Sequence, residues 1–214
     1  MPDADSAFAR TAELLAEAAA ASLDARGSFS LALSGGGSIK PMLEQLDPEA
    51  LVDEGVSIFQ VDERVAPDGD PERNLTQILA ALPTAAVERL RPMPVLDPDP
   101  DAAVARYEEE LPDALDLVHL GLGPDGHTAS LVPGDPVLEV RDRRVALTAG
   151  SYQGRRRMTL TYAALEAARR IVWLVTGADK RDALARLLDG DPSIPAGRVT
   201  ARDAAVICDP AAAG

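Results

Sequence analysis

Residues 116–134 have the sequence DLVHLGLGPDGHTASLVPG, in which an apolar run gives way to a glycine-rich loop. The apolar run, residues 117–122, has the pattern of a buried strand in a parallel sheet. Gly121, Gly123, Pro124 and Gly126 cannot continue a strand, and the loop that they form carries Asp125 and His127. Open α/β sheets bind their ligands beyond the carboxyl ends of the strands. This loop is therefore the first candidate for an active site.

Strand and helix patterns alternate along the rest of the chain. The sequence predicts strands at residues 28–33, 56–61, 143–148, 157–161, 171–176 and 204–207, and a proline-interrupted edge strand at 91–95. It predicts helices at about residues 6–23, 39–46, 75–82, 102–111, 162–168 and 179–188, and a helical turn at 128–131. No linker, repeat or low-complexity segment divides the chain. We therefore predict an α/β fold in a single domain over residues 1–214, with a Rossmann-like, mostly parallel sheet covered by helices on both faces.

The composition of the chain excludes several classes of partner. Lys and Arg number 21 against 35 Asp and Glu, a formal net charge of −14, so the surface repels nucleic acid and anionic membranes. An anionic metabolite would need a local basic pocket within this acidic surface. The single cysteine, Cys208, rules out an internal disulfide and fits a reducing compartment. Because there is no apolar run of transmembrane length and no secretory signal at the N-terminus, we expect a cytoplasmic protein.

A second glycine-rich loop, Ser-Gly-Gly-Gly-Ser at residues 34–38, lies between the first predicted strand and a helix. Its glycines let the backbone approach a ligand closely, and the start of a helix offers free N–H groups to a phosphate. The loop is neither a Walker loop nor a dinucleotide fingerprint, because Lys40 stands where the third glycine of the fingerprint belongs. An ordinary tight turn is the alternative. Three glycines flanked by two hydroxyls exceed what a turn needs, so we favour anion binding.

Three further charged segments could contribute to the site, and the first of them lies at the same predicted edge of the sheet. Residues 62–64, Asp-Glu-Arg, end the second strand, and their charge alone favours a solvated turn. Residues 155–157 are three arginines, and a solvated basic run explains the first two. Lys180 lies at the start of a helix, where the helix dipole disfavours a cation. Its ammonium group therefore either points into solvent or faces an anion bound at the same place.

The two histidines have different surroundings in the sequence. His119 lies within the apolar strand, which favours a hydrogen-bonded core residue. His127 lies in the loop and is the better candidate for acid/base chemistry. Two histidines so differently placed, with one cysteine, make a poor metal site. No Gly-x-Ser-x-Gly nucleophile motif occurs either, so we expect neither a metal nor a covalent serine intermediate.

Residues 121–134 resemble the signature of the 6-phosphogluconolactonases, a family grouped with the glucosamine-6-phosphate isomerases/deaminases. The resemblance covers most of the chain and implies the sugar-phosphate isomerase/CoA-transferase-like form of the α/β fold. Further matching segments are the glycine loop at 34–38, Asp-Glu-Arg at 62–64 with Asn74, Arg-Met-Thr-Leu-Thr at 157–161, and Gly-x-x-Lys at 177–180.

Two residues depart from the family pattern. Val65 follows Arg64 where an aromatic residue is usual, and Arg73 precedes Asn74 where a serine is usual. These departures concern the wall of the pocket and not the position of Arg64.

The resemblance implies hydrolysis of 6-phospho-D-glucono-1,5-lactone to 6-phospho-D-gluconate in the oxidative pentose phosphate pathway, by metal-free general-base activation of water. His127 would be the base, and Asp125 would orient its ring or shape the loop. Backbone N–H groups of the glycine loops could meet the oxyanion. The only implied partner is the sugar-phosphate lactone, with no cofactor, and the protein is expected to be a monomer or a weak homo-oligomer. The residues expected to bind the substrate and its phosphate are Ser34, Gly35, Gly36, Ser38, Arg64, Arg157 and Lys180.

Two alternatives stay open at this point. A sister isomerase/deaminase acting on an amino-sugar phosphate would share the fold and the phosphate site, whereas a non-catalytic sugar-phosphate sensor would lose the base. The intact Asp125 and His127 argue against the sensor. The deaminase loop has the pattern Gly-His-x-Ala-x-x-Glu-Pro-Gly, whose glutamate pairs with the histidine, but the aligned residue here is Val132. Because valine cannot accept a hydrogen bond, we expect lactone hydrolysis and not deamination.

Overall fold

The computed structural model describes all residues from Met1 to Gly214 and contains a central sheet of six parallel strands. Three adjacent inner strands of this sheet are buried along their whole length, as expected for a parallel sheet covered on both faces. In spatial order the strands are β4 (Leu90–Arg91), β2 (Val56–Gln60), β1 (Phe29–Leu33), β5 (Leu117–Leu120), β8 (Ile171–Val175) and β9 (Ala204–Cys208).

 Counted from the β4 edge, the strands buried along their whole length are the third, fourth and fifth, namely β1, β5 and β8.

Helices cover both faces of this sheet and enclose two hydrophobic clusters of 32 and 22 buried residues. The first helix begins after Asp3, whose carboxylate accepts the Ser6 N–H, and ends at Gly27, which has φ 70°. No helix combines the length and the apolar content needed to cross a membrane. The helices are α1 (Ala4–Arg26), α2 (Ile39–Leu43), α3 (Asn74–Leu79), α4 (Pro100–Glu110), α5 (Tyr162–Ala167), α6 (Arg181–Leu188) and α7 (Pro210–Ala213).

The predicted α/β fold with a mostly parallel sheet is confirmed, and so is the edge position of the proline-interrupted segment, where only β4 pairs. The chain runs from β1 outward to β2 and β4, and then returns to the other side of β1 for β5 and the remaining strands. The order therefore reverses between β1 and β5. In open α/β sheets the crevice above such a reversal binds the ligand. The two glycine-rich loops follow β1 and β5 and flank this crevice.

A second sheet of three antiparallel strands was not predicted. It has the order β3 (Asp62–Arg64), β7 (Arg157–Leu160) and β6 (Val145–Leu147). The sequence predicted strands close to β6 and β7 but a turn at residues 62–64, because three charged residues do not resemble a strand. The pairing places Arg64 directly opposite Arg157. Two arginines that lie far apart in the sequence are thus brought to one side of the crevice.

The helical turn predicted at residues 128–131 is wrong. Thr128 and Leu131 instead form an isolated antiparallel bridge, and Ala129 has φ 51°, which a right-handed helix does not permit. The two polar side chains of this turn are used in tertiary contacts, since Thr128 Oγ1 donates to Gly121 O at 2.9 Å and Ser130 Oγ donates to Asp62 Oδ2 at 2.5 Å. These bonds join the loop after β5 to its own start and to β3.

Candidate active site

A cavity of about 210 Å³ lies above the reversal between β1 and β5. It brings together eight of the nine residues predicted from the sequence. Asp125 is the ninth, and it contacts the cavity through its bond to His127. The eight lining residues are Ser34, Gly35, Gly36, Ser38, Arg64, His127, Arg157 and Lys180.

The cavity is basic although the protein as a whole is acidic. Arg64, Arg157 and Lys180 line it, whereas Asp62 is the only carboxylate among the lining residues. Burial is the main influence on the pKa of Arg157, which it lowers; nearby Asp62 opposes this effect. Lys180 Nζ lies 3.0 Å from the exposed Asp179 carboxylate. The arrangement is the local basic pocket that an anionic ligand requires in a chain of this charge.

The glycine loop at residues 34–38 offers unpaired backbone donors to this cavity. The N–H groups of Gly35, Gly37 and Ser38 have no acceptor in the protein, whereas that of Gly36 donates to Gln77 Oε1 at 2.7 Å. At Gly35 a Cβ atom would lie 2.0 Å from Asn74 Oδ1, so only glycine fits. The Ser34 hydroxyl already donates to a backbone oxygen, His119 O, at 3.0 Å. A ligand could therefore use Ser34 only as an acceptor.

Arg64 is held at the cavity by Asn74. The Asn74 side chain donates to both the backbone oxygen and Oδ1 of Asp62 at 2.8 Å, and its own oxygen accepts from Arg64 Nη1. Arg64 also donates to Glu72 O at 2.6 Å. The guanidinium orientation is consequently fixed before any ligand binds.

Glu63 supports this part of the site from below and does not line it. The side chain is fully buried and accepts from Asn74 N at 2.8 Å and Leu75 N at 2.9 Å, at the start of α3. Arg73, which replaces the usual serine, is also buried and lies 3.2 Å from the same carboxylate. The departure at Arg73 thus supplies the counter-charge for Glu63, and removing one partner of such a buried pair is strongly destabilising.

Asp125 and His127 form a hydrogen-bonded pair in the loop after β5. His127 Nδ1 lies 2.5 Å from Asp125 Oδ1, and the His127 backbone N–H donates to the same oxygen at 3.2 Å. An ionised carboxylate only accepts hydrogen bonds, so Nδ1 carries a proton, and in the neutral form of the imidazole the lone pair is on Nε2. A Cβ atom at Gly123 would lie 2.0 Å from His127 Nδ1, which explains the glycine there. The two-residue spacing of Asp125 and His127, together with the glycine at position 123, therefore permits this hydrogen-bonded pair.

A third residue, Tyr152, completes this pair and was missed by the sequence analysis. Its hydroxyl donates to Asp125 Oδ2 at 2.8 Å. Desolvation works to raise the pKa of Asp125, but the hydrogen bonds from His127 and Tyr152 outweigh it and hold that pKa below its usual range. Tyr152 lies in a segment that carries no motif, between a glycine and three arginines, so no signal in the sequence marks it.

His119 is not the hydrogen-bonded core residue that the sequence predicted. It is only 2 % exposed, lies between β1 and β8 on the sheet, and neither ring nitrogen has a hydrogen-bond partner. Desolvation lowers the pKa of the imidazole to about 4. The residue is therefore a neutral, unsatisfied polar group at the base of the cavity, unlike the paired His127.

A parallel sheet covered on both faces, with a cavity where its strand order reverses, is typical of the open α/β proteins that bind ligands beyond the carboxyl ends of their strands. The model of one family of this class, described as glucosamine-6-phosphate isomerases/6-phosphogluconolactonase, matches residues 2–208. The chain belongs to this family.

Similar proteins lie on both branches of the family. A 6-phosphogluconolactonase of Nostoc sp. is 36 % identical over 200 residues, which cover 87 % of this chain and 82 % of the relative. One of Mycobacterium tuberculosis is 36 % identical over 94 % of this chain and 90 % of the relative. The crystal structure of the Thermotoga maritima 6-phosphogluconolactonase has a TM-score of 0.83 at 25 % identity, covering 98 % of this chain and 97 % of that one. A monomeric glucosamine-6-phosphate deaminase has a TM-score of 0.85 at 20 % identity, covering 100 % and 97 %. The fold alone thus does not separate the two branches.

Proposed function

We propose that this protein hydrolyses 6-phospho-D-glucono-1,5-lactone to 6-phospho-D-gluconate, as a step of the oxidative pentose phosphate pathway. The observation that carries the proposal is the His127–Asp125 pair, which faces a cavity lined by three cations. The names of the similar curated proteins support the same activity. A base opposite an anion site is what a phosphorylated lactone requires.

The proposed reaction needs only one base. His127 Nε2 takes a proton from water as the water oxygen attacks the lactone carbonyl carbon and the carbonyl oxygen becomes an oxyanion. When the intermediate collapses, the bond between that carbon and the ring oxygen breaks, and the imidazolium returns the proton to the ring oxygen. The new carboxylic acid then loses a proton to solvent. Asp125 accepts from Nδ1–H throughout, so it orients the ring and stabilises the imidazolium.

Some backbone N–H groups of the loop after β5 already have acceptors in the protein and cannot bind the oxyanion. The N–H groups of Gly123 and Gly126 already donate to His127 O and Gly123 O, at 2.8 and 2.9 Å, and are not available to a substrate. Gly121 lines the cavity, and its N–H has no acceptor in the protein. We assign the oxyanion contact to Gly121 on this ground.

The phosphate is assigned to the opposite side of the cavity. Arg157 and Lys180 supply charge, and the free N–H groups of the glycine loop supply donors in fixed positions. Arg64 contacts the sugar or the phosphate. No covalent nucleophile is required, because a lactone is an activated ester.

Val132 favours the lactonase over the deaminase. It is a buried hydrocarbon side chain at the position of the deaminase glutamate, and it can neither accept a hydrogen bond from an imidazole nor stabilise its charge. Ring opening by a histidine–glutamate pair is therefore crippled here. Lactone hydrolysis as proposed requires no polar side chain at this position.

The decisive experiment supplies both substrates to the same purified protein. We expect formation of 6-phosphogluconate from freshly prepared lactone well above the spontaneous rate, and no release of ammonia from glucosamine 6-phosphate. Ammonia release without lactone hydrolysis would reverse the assignment.

Prolonged treatment with a chelator tests the metal-free mechanism: activity that disappears and returns with a divalent ion would reject it. The cytoplasmic location and the weak or absent self-association stay predictions.

A further inference from the structure

Tyr152 contacts residues from both sides of the cavity, and the mechanism above does not use it. Besides its bond to Asp125, its hydroxyl lies 3.2 Å from His127 Nδ1. Its ring packs edge-on against the imidazole, with 5.2 Å between the ring centroids. The Arg157 guanidinium lies 5.0 Å from the centroid of the same ring. The Tyr152 side chain thus contacts both the acid/base pair and Arg157, a residue predicted to bind the phosphate.

We propose that Tyr152 is a positioning residue that fixes the orientation and tautomer of His127 by way of Asp125, an inference that rests on the proposed function. Both contacts from His127 go to one carboxylate oxygen, Oδ1. Tyr152 holds the other, Oδ2, from a segment 27 residues away in the chain. With both oxygens restrained, the carboxylate offers Nδ1–H a single fixed acceptor, and Nε2 stays unprotonated.

The tyrosine is itself well anchored. Its backbone closes a tight turn with Arg155 through reciprocal hydrogen bonds of 2.9 and 3.3 Å. Arg157 Nη2 donates to Gln153 Oε1 at 3.0 Å in the same turn. Burial and the hydrogen bond to Asp125 raise the pKa of Tyr152 to about 12. At neutral pH the phenol is therefore protonated and donates a hydrogen bond to the carboxylate.

The first test is the variant Tyr152→Phe, which keeps the ring and its packing on His127 and Arg157. A hydrogen bond to a charged group contributes more free energy than one between neutral groups, so we expect the loss of this hydroxyl to lower kcat about tenfold. KM for the phosphorylated lactone should stay within about twofold, since the hydroxyl touches no predicted substrate ligand. Tyr107→Phe is the matched control: it removes a buried hydroxyl that bonds the backbone of Gln60 outside the cavity, and it should leave kcat unchanged.

A double-mutant cycle then asks whether Tyr152 acts through Asp125. Once Asp125→Ala has removed the acceptor, adding Tyr152→Phe should change kcat by less than about twofold. A further tenfold loss in that background would overturn the proposal, and so would an unchanged kcat in the single variant.

The tautomer can be measured without substrate, by ¹⁵N NMR of the neutral imidazoles, with His119→Leu to assign the two signals. We expect His127 to carry its proton on Nδ1 in the wild type and to gain Nε2–H tautomer in Tyr152→Phe. An unchanged tautomer ratio would overturn the proposal. A wild-type protein that does not hydrolyse the lactone would reject the proposed function itself, and this is known before any variant is compared.

Discussion

The side of the cavity that carries His127 and the side that carries Arg157 differ in how far the protein satisfies its own polar groups. On the acid/base side, His127 Nδ1 and both oxygens of Asp125 have partners. On the anion side, the Nε atoms of Arg64 and Arg157 and three backbone N–H groups of the glycine loop have none. A buried donor without an acceptor destabilises a protein by about 1–3 kcal/mol. Only the two Nε atoms are buried, since residues 35–38 of the glycine loop are half-exposed or exposed. This difference supports the proposal that the first side carries the chemistry and the second binds the phosphate.

The largest expected effect is on the acid/base side. Replacing His127 with alanine should lower kcat by about 10²–10⁴-fold, the usual size of a lost general base, and leave KM near its starting value. The rate is measured as acid release from fresh lactone, after subtraction of spontaneous hydrolysis. An unchanged kcat would show that His127 is not the general base and that the two sides of the cavity do not differ in function as proposed.

A smaller effect, on a different kinetic constant, is expected on the anion side. Arg157→Ala and Lys180→Ala should each raise KM by about 10–100-fold, because they remove a charged hydrogen bond made in both the ground and the transition state. Arg156→Ala is the control, since Arg156 is exposed and its Nε bonds Thr148 O at 3.2 Å. Equal losses on a lactone without phosphate would show that these cations do not bind the phosphate.

The acid/base side was the more predictable from sequence, and the reason is the range of its contacts. Asp125 and His127 are two residues apart, so a single short loop determines their bond, and Gly123, which makes room for the imidazole ring, lies in the same loop. Tyr152 was not predictable, because its contact depends on how a distant turn is placed over that loop.

The anion side shows the same limit more strongly. Its cations come from segments that meet only through long-range pairing, such as Arg64 on β3 and Arg157 on β7. Their residue types were recognisable by resemblance, but the antiparallel sheet that brings them together was not. The sequence analysis placed the departure at Arg73 in the wall of the pocket, which is wrong, because Arg73 does not line the cavity and is buried against Glu63. Compensation of this kind depends on burial, which a sequence pattern does not contain.

His119 belongs to neither side and gives the smallest expected effect on activity. Its ring is buried without a hydrogen-bond partner, so His119→Leu should raise the free energy of unfolding by about 1–3 kcal/mol at neutral pH. The variant should keep kcat and KM within about twofold. Urea unfolding and the lactone assay on the same preparation check both statements. A large loss of activity in a stable variant would place this imidazole in the catalytic machinery.

The stabilisation by His119→Leu should grow as the pH falls. Burial lowers the pKa of His119 to about 4 from an ordinary 6.5, so between these values the unfolded chain binds a proton that the folded protein refuses. Wild-type stability therefore falls as the pH drops through this window, and leucine abolishes that contribution. The difference in unfolding free energy between the variant and the wild type should be about 2 kcal/mol larger at pH 5 than at pH 7.5. A pH-independent difference would mean that the imidazole can reach solvent or a partner in the folded protein, and that His119 resembles His127 more closely than the structure indicates.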